Sequence, residues 1–241
     1  ELHYNGGDKD QVDFHRFVLF VGHEFSDSIR LFSEMEFEHT AIGDGQEGDF
    51  FLEQAFLEFD LNDNHKAKTG LFILPVGMLN EIHEPNTFYG VERNPIEVNL
   101  IPTTWFEAGG MLSGKLGNGF SYDAAIHSGL ETATAGSSAY NIRSGRQKVA
   151  KATAKDPAVT GRLKWTGLPG VELATSLQYQ SDITQGNASE DSDATLWTTH
   201  ANLRRGGWGL KALYARWDLN GAAPEAIGRD EQYGWFIEPS Y

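Results

Sequence analysis

VELATSLQYQSDI, residues 171–183, changes character at almost every step. Val171, Leu173, Thr175, Leu177, Tyr179 and Ile183 share one parity, and Glu172, Ser176, Gln178, Gln180 and Asp182 the other. Successive side chains of a strand point to opposite faces, so the segment reads as a strand with one apolar and one polar face. IRLFSEMEFEHT at 29–40 repeats the pattern, with Ile29, Leu31, Met35 and Phe37 set against Arg30, Glu34, Glu36 and Glu38. Alternation recurs at 105–116, 120–130, 158–166, 195–205 and 231–241. It is less clean at 51–61, where Glu53 falls among apolar residues, and at 12–25 both faces are apolar at the centre. With 1–5, 68–76 and 208–219 the chain yields about twelve strands, at roughly twenty residues per strand and connection.

The connections alternate in length. Short polar or glycine turns lie at 26–28, 62–64, 117–119, 167–170 and 205–207, and long links at 39–49, 77–103, 131–156, 182–193 and 220–230. A Greek-key sandwich has no reason to keep that beat. An up-and-down transmembrane barrel does, because its turns are short at one end and its loops long at the other. An even strand count would bring both termini to the short-turn end. Aromatics near strand ends (Trp105, Phe106, Phe120, Tyr122, Trp165, Trp197, Trp208, Trp217, Trp235 and Tyr241) fit interface anchors.

Composition narrows the function. The 241 residues carry 34 acidic against 19 basic side chains, a formal charge of −15, which argues against a nucleic-acid partner. No cysteine is present, so thiol catalysis, Cys-ligated zinc and disulfides are all excluded. No run approaches the ~18 apolar residues of a membrane helix, whereas a barrel strand needs only ~9–11. The chain opens on Glu1 rather than Met, which points to a start after a removed signal or partway along a longer chain. GxSxG, HExxH and GxxxxGK[ST] motifs do not occur, so neither an enzyme nor a cofactor is expected.

The link at 77–103 differs from the others. It holds three of the eight prolines and cannot be a central strand. It gathers Glu81, His83, Glu84, Glu92 and Arg93, which we expect at a pore constriction. Lumen-wall candidates are Arg30, Glu34, Glu36, Glu38 and Glu58, and their acidic balance implies a cation bias. Glu81, His83 and Glu84 are also of metal-ligating type. The reading preferred here is hydrogen bonds that pin the link to the wall, with no resident metal. Asp60–Asn64 (DLNDN) lacks the glycine and distal glutamate of a calcium loop and reads as a solvated turn. His15 and His23 read as incidental. Five basic residues, Arg143, Arg146, Lys148, Lys151 and Lys155, read as a solvated loop, with lipopolysaccharide phosphates as an alternative contact.

LNEIHEPNTFYGVERNPIEVNLIPTTWFEAGG, beginning at Leu79, resembles the outer-membrane porins grouped as phosphate-selective porin O and P. The opening ELHYN, DFHRFVLFVGHEFSDSIRLFSEMEFEH and the closing GWFIEPSY are similar to the same broad group, most specifically over 78–110. The resemblance implies a bacterial outer-membrane β-barrel, a homotrimer, passing small hydrophilic solutes, with this chain as one domain or as part of a sixteen-stranded barrel. Ladders of lysine and arginine, which phosphate-selective members carry, are missing, so phosphate selectivity is not carried over. Two alternatives stand beside the porin. One is a barrel that sheathes or docks an electron-transfer protein; the other is a soluble acidic β-sandwich binding carbohydrate or metal.

Overall fold

The computed structural model describes residues 2–6, 10–90 and 92–241; Glu1 and Val91, which fall within segments singled out above, lie outside them. Among the described residues the chain forms thirteen strands. A small hairpin pairs β1 (His3–Asn5) with β2 (Gln11–Asp13). The other strands are β3 (Arg16–Ser26), β4 (Ile29–Glu38), β5 (Asp49–Asn62), β6 (His65–Ile73), β7 (Phe106–Gly117), β8 (Phe120–His127), β9 (Ala158–Trp165), β10 (Val171–Gln180), β11 (Ala194–Arg205), β12 (Trp208–Leu219) and β13 (Glu231–Ser240). These eleven make one antiparallel sheet in which every strand lies beside its sequence neighbours, from β3 to β13. That order is up-and-down throughout and has none of the crossovers of a sandwich.

Turn chemistry sets the short end. Asn118 and Gly119 adopt φ of 52° and 82° between β7 and β8, the left-handed conformations of a tight hairpin. Between β5 and β6 the Asn62 Oδ1 accepts from the backbone N–H of Asn64 and His65, which closes the turn. The long links of the sequence reading are likewise present, but their bounds move. The segment 12–25 is two strands, because the chain breaks pairing at Phe14 and His15. The strand expected at 68–76 ends at Ile73, and β10 ends at Gln180, leaving Asp182 and Ile183 in the following link. With eleven strands in the sheet, β3 starts at the long-loop end and β13 finishes at the short-turn end, against the expectation that both termini share one end.

Register assigns the faces. Leu112, Ile126, Val159, Leu163, Leu173 and Leu177 sit on one face and are exposed. Met111, Ala125, Thr160, Arg162, Ser176 and Gln178 sit on the other and are buried. An apolar exposed face with a polar covered one inverts the soluble pattern and fits lipid outside. Glu53 explains its own anomaly. The β4–β5 register shifts between Glu34↔Gln54 and Met35↔Leu52, so Glu53 is the extra residue of a β-bulge. The bulge switches parity: Glu53 turns inward, while Ala55, Leu57 and Phe59 keep the outward apolar row.

The sheet curls around its longest link. Arg93 lines the same cleft as Arg16 of β3, and Ile96 packs on Gly234 of β13. Three residues span at most about 10 Å, whereas eleven flat strands would separate those edges by roughly 48 Å. The concave face therefore wraps 74–105 and 128–157. Together they bury Phe72, Leu74, Ile101, Trp105, Leu130, Tyr140 and Trp217 in one core. Trp105 and Trp217 are thus interior residues with rings 6.1 Å apart, not interface anchors. Trp197, Trp208, Trp235 and Tyr241 are exposed, as anchors would be.

Candidate functional site

The link 74–105 is fixed by buried polar side chains. Asn80 is fully buried; its Nδ2 donates to the carbonyls of Leu74 (2.8 Å) and Trp105 (2.9 Å), and its Oδ1 accepts from the Trp105 N–H (2.8 Å). One amide thus ties the two ends of the link together. Glu97, also fully buried, accepts from the N–H groups of Met78 (2.5 Å) and Leu79 (2.7 Å) and from Asn94 Nδ2 (3.2 Å). Burial pushes the Glu97 carboxyl up, against the opposing pull of those hydrogen bonds.

The expected constriction residues separate. Glu81 pairs with Arg162 of β9, which also holds Asp123 of β8 at 2.7 Å. His83 turns the other way, towards β5, with Nε2 at 2.9 Å from Glu53 Oε2 and Nδ1 at 3.1 Å from the Asn80 carbonyl. Burial works against charge on His83, but the Glu53 hydrogen bond and the nearby Glu34 and Glu84 carboxylates hold it above its usual value. Glu84 Oε1 lies 4.0 Å from the same ring nitrogen. Glu92 is exposed and Arg93 half-buried.

Arg93 instead belongs to a cleft of about 140 Å³. Arg16, Glu36, Glu38 and Glu53 of the wall line it together with Arg93, Arg143, Arg146 and Lys148 of the links. Arg93 donates to Thr104 Oγ1 at 3.4 Å. Burial, with Arg16 and Arg143 close by, holds its guanidinium below the ordinary arginine range. Arg146 donates to the carbonyls of Pro102 and Thr104, both at 2.9 Å, and Arg143 to that of Val98 at 2.5 Å. Burial and the neighbouring Arg143 and Arg93 bring Arg146 down to about 10, still charged at neutral pH. This corrects the reading of the basic run as a solvated loop: Arg143 and Arg146 clamp the link 74–105 from inside, while Lys151 and Lys155 are exposed.

The wall candidates Arg30, Glu34, Glu36, Glu38 and Glu58 share the inner face of β4 and β5. Most are paired. Arg16 lies 3.0 Å from Glu36 and 3.7 Å from Glu38, and Arg30 bridges Glu58 (3.0 Å) and Asp60 (2.5 Å). The inner surface is therefore a set of opposed charges. The sequence reading missed Asn80 and the inward Arg143 and Arg146, and saw Glu97 only as one of the charged residues of the link. A lone Asn beside the apolar run that ends at Leu79 was the available signal for Asn80.

No family model matches the chain. An uncharacterized protein of Aquifex aeolicus (strain VF5) is 30% identical over 221 residues, covering 89% of this chain and 50% of that protein. The chain thus spans about half the length of the curated relative it matches. Among solved structures, Pseudomonas putida OprB in its high-pH form aligns with a TM-score of 0.52 and 14% identity, over 92% of this chain and 68% of that one. The outer membrane channel DcaP of Acinetobacter baumannii aligns less closely, at a TM-score of 0.47 and 11% identity over 95% and 75%. What the OprB likeness and the strand order establish together is the fold, an antiparallel up-and-down wall of the porin-barrel type.

Proposed function

We propose that the protein is a passive aqueous channel of a bacterial outer membrane, passing small hydrophilic solutes or ions past a constriction made by 74–105 and 128–157. The observation that carries this reading is the charged cleft, where link arginines are held near wall carboxylates inside an apolar-faced barrel wall. Opposed charges across a narrow wet passage orient and select solutes without any reacting group. Lipid location is supported by the exposed apolar rows and by the porin-type order of the wall.

The net charge of −15 supports a cation bias, set over the whole lumen and mouth rather than at the arginine-bearing cleft. Resemblance over 78–110 supports kinship with the phosphate-selective porin O and P group, without phosphate selectivity. Lipid tolerates no unpaired sheet edge, so β3 and β13 require partners. We place them within one larger barrel domain of about sixteen strands, assembled as a trimer. Links of the chain itself fill the concave face, which favours conduction over sheathing another protein.

Planar-bilayer recording in a KCl gradient tests the reading. Stepwise conductance with a cation-selective reversal potential is expected. Anion preference would overturn the bias, and absence of conductance from folded protein would overturn the channel.

A further inference from the structure

Three chain segments converge at one buried point of the inner wall. Glu34 of β4, Glu53 at the β5 bulge and His83 of the link each offer a ligand atom, and these atoms all lie within 4.8 Å of one another. The three residues are 3%, 4% and 3% exposed. His83 Nδ1 faces a carbonyl, which can only accept, so Nδ1 carries a proton and donates to Asn80 O. Nε2 faces Glu53 at 2.9 Å, and an ion that displaced the shared proton would take the Nε2 lone pair and the carboxylate oxygen together. Metal-bound histidines are commonly anchored this way, with the second nitrogen donating to a backbone carbonyl. Gln54 Nε2 donates to Glu34 Oε2 at 2.6 Å, a further outer contact of the same kind.

A separate observation points to the same place. Glu84 Oε1 is shielded from solvent, lacks a hydrogen-bond partner and lies 4.0 Å from His83 Nε2. Three carboxylates thus surround one imidazole, and none of Glu34, Glu53 and Glu84 has a lysine or arginine within ion-pair distance among the described residues, the cleft cations lying beyond direct contact. Ligands of a tetrahedral zinc ion stand about 2.1 Å from it, hence roughly 3.4 Å from each other, which the cluster accommodates with small side-chain shifts. One nitrogen and a few carboxylate oxygens suit zinc or a similar first-row ion; calcium prefers six to eight oxygens.

We propose that Glu34, Glu53 and His83, with Glu84 as a fourth ligand, bind a divalent transition ion of the zinc type that fastens the link 74–105 to β4 and β5. The site stands independently of the channel reading, because its donor set needs only the fold.

The test uses the full chain in detergent, stripped with a chelator, equilibrated with Zn2+ and desalted. One zinc per chain, retained in excess Ca2+, is expected. H83Q and E53Q, with their fold checked by heat-modifiable migration, should each weaken zinc binding by at least about tenfold. H15Q, in the half-buried His3–Asp13–His15 cluster, should not. Co2+ loaded into the unmutated chain gives a second readout that needs no variant: strong visible bands of four- or five-coordinate cobalt, abolished by Zn2+. Zinc uptake that survives E53Q and H83Q, or is lost in H15Q alone, would overturn the proposal. So would a chain that takes up no zinc, or a cobalt spectrum like that of the aqueous ion.

Discussion

Replacing Asn80 by alanine should release the constriction while leaving the barrel wall intact. The Trp105 N–H would lose its Asn80 acceptor in a fully buried site. The Leu74 carbonyl would keep the Val76 N–H, and the Trp105 carbonyl would keep that of Leu74. One orphaned donor and two forfeited bonds together cost about 2–6 kcal/mol. Even ~2 kcal/mol raises the ratio of undocked to docked link about thirtyfold. N80D should be no better, because it keeps the Trp105 contact but aims a carboxylate at two carbonyls. The assay is tryptic cleavage at Arg93, whose rate follows the undocked population, recorded beside single-channel conductance. Both should rise in N80A. A folded N80A barrel with unchanged cleavage and conductance would refute the claim that Asn80 holds the link.

Further expectations follow from other residues. E97A should orphan the Met78 and Leu79 N–H groups at about 1–3 kcal/mol each, whereas E97Q retains an acceptor and should stay close to the parent in cleavage rate. Asp182 in the link 181–193 accepts from Thr184, Gly186 and Ser192 backbone N–H groups. Burial opposes its charge, but these bonds hold it below the ordinary 3.8. Its stabilisation is present above that value and is lost as pH falls through the lowered one. The protection of amides in 181–193, after correction for the intrinsic pH dependence of exchange, should therefore be steady from neutral pH down to about 4 and fall below it; D182N should flatten the profile. L177R, on the outward row within β10, should disfavour folding into bilayers more than Q178R on the inward row, by about 2–4 kcal/mol at mid-membrane depth. A mild effect in lipid would refute the face assignment.

The wall was legible because its information is local. Leu173, Leu177, Gln178 and Gln180 announce their faces by parity alone, and Asn118–Gly119 announces a hairpin in two letters. Glu53 misled for the same reason: parity counting assumes an unbroken register, and a bulge breaks it without any sequence mark. The site was less legible because its contacts are distant. His83 was expected to pin the link and does so, yet its partner Glu53 is thirty residues away, and nothing near Glu81 foretells Arg162. Trp105 and Trp217 resemble interface anchors by position, and only the folded link reveals that they are interior. The inward arginines were misread because a basic run among small residues looks solvated until a buried carbonyl needs a donor.

The link 74–105 also has a place in time. His83 meets β5 only thirty residues away, but Ser176 of β10 donates to the Pro75 carbonyl across 101 residues, Lys211 of β12 donates to the Thr87 carbonyl across 124, and Ile96 rests on β13. Closure over such separations waits until the distant strands have arrived. The bonds of Asn80 and Glu97 lie within the link and can form early, but the far side of the link stays open to water until β12 and β13 arrive. In the proposed channel the constriction would therefore form only after β12 and β13 have joined the wall, later than the strands that flank the link.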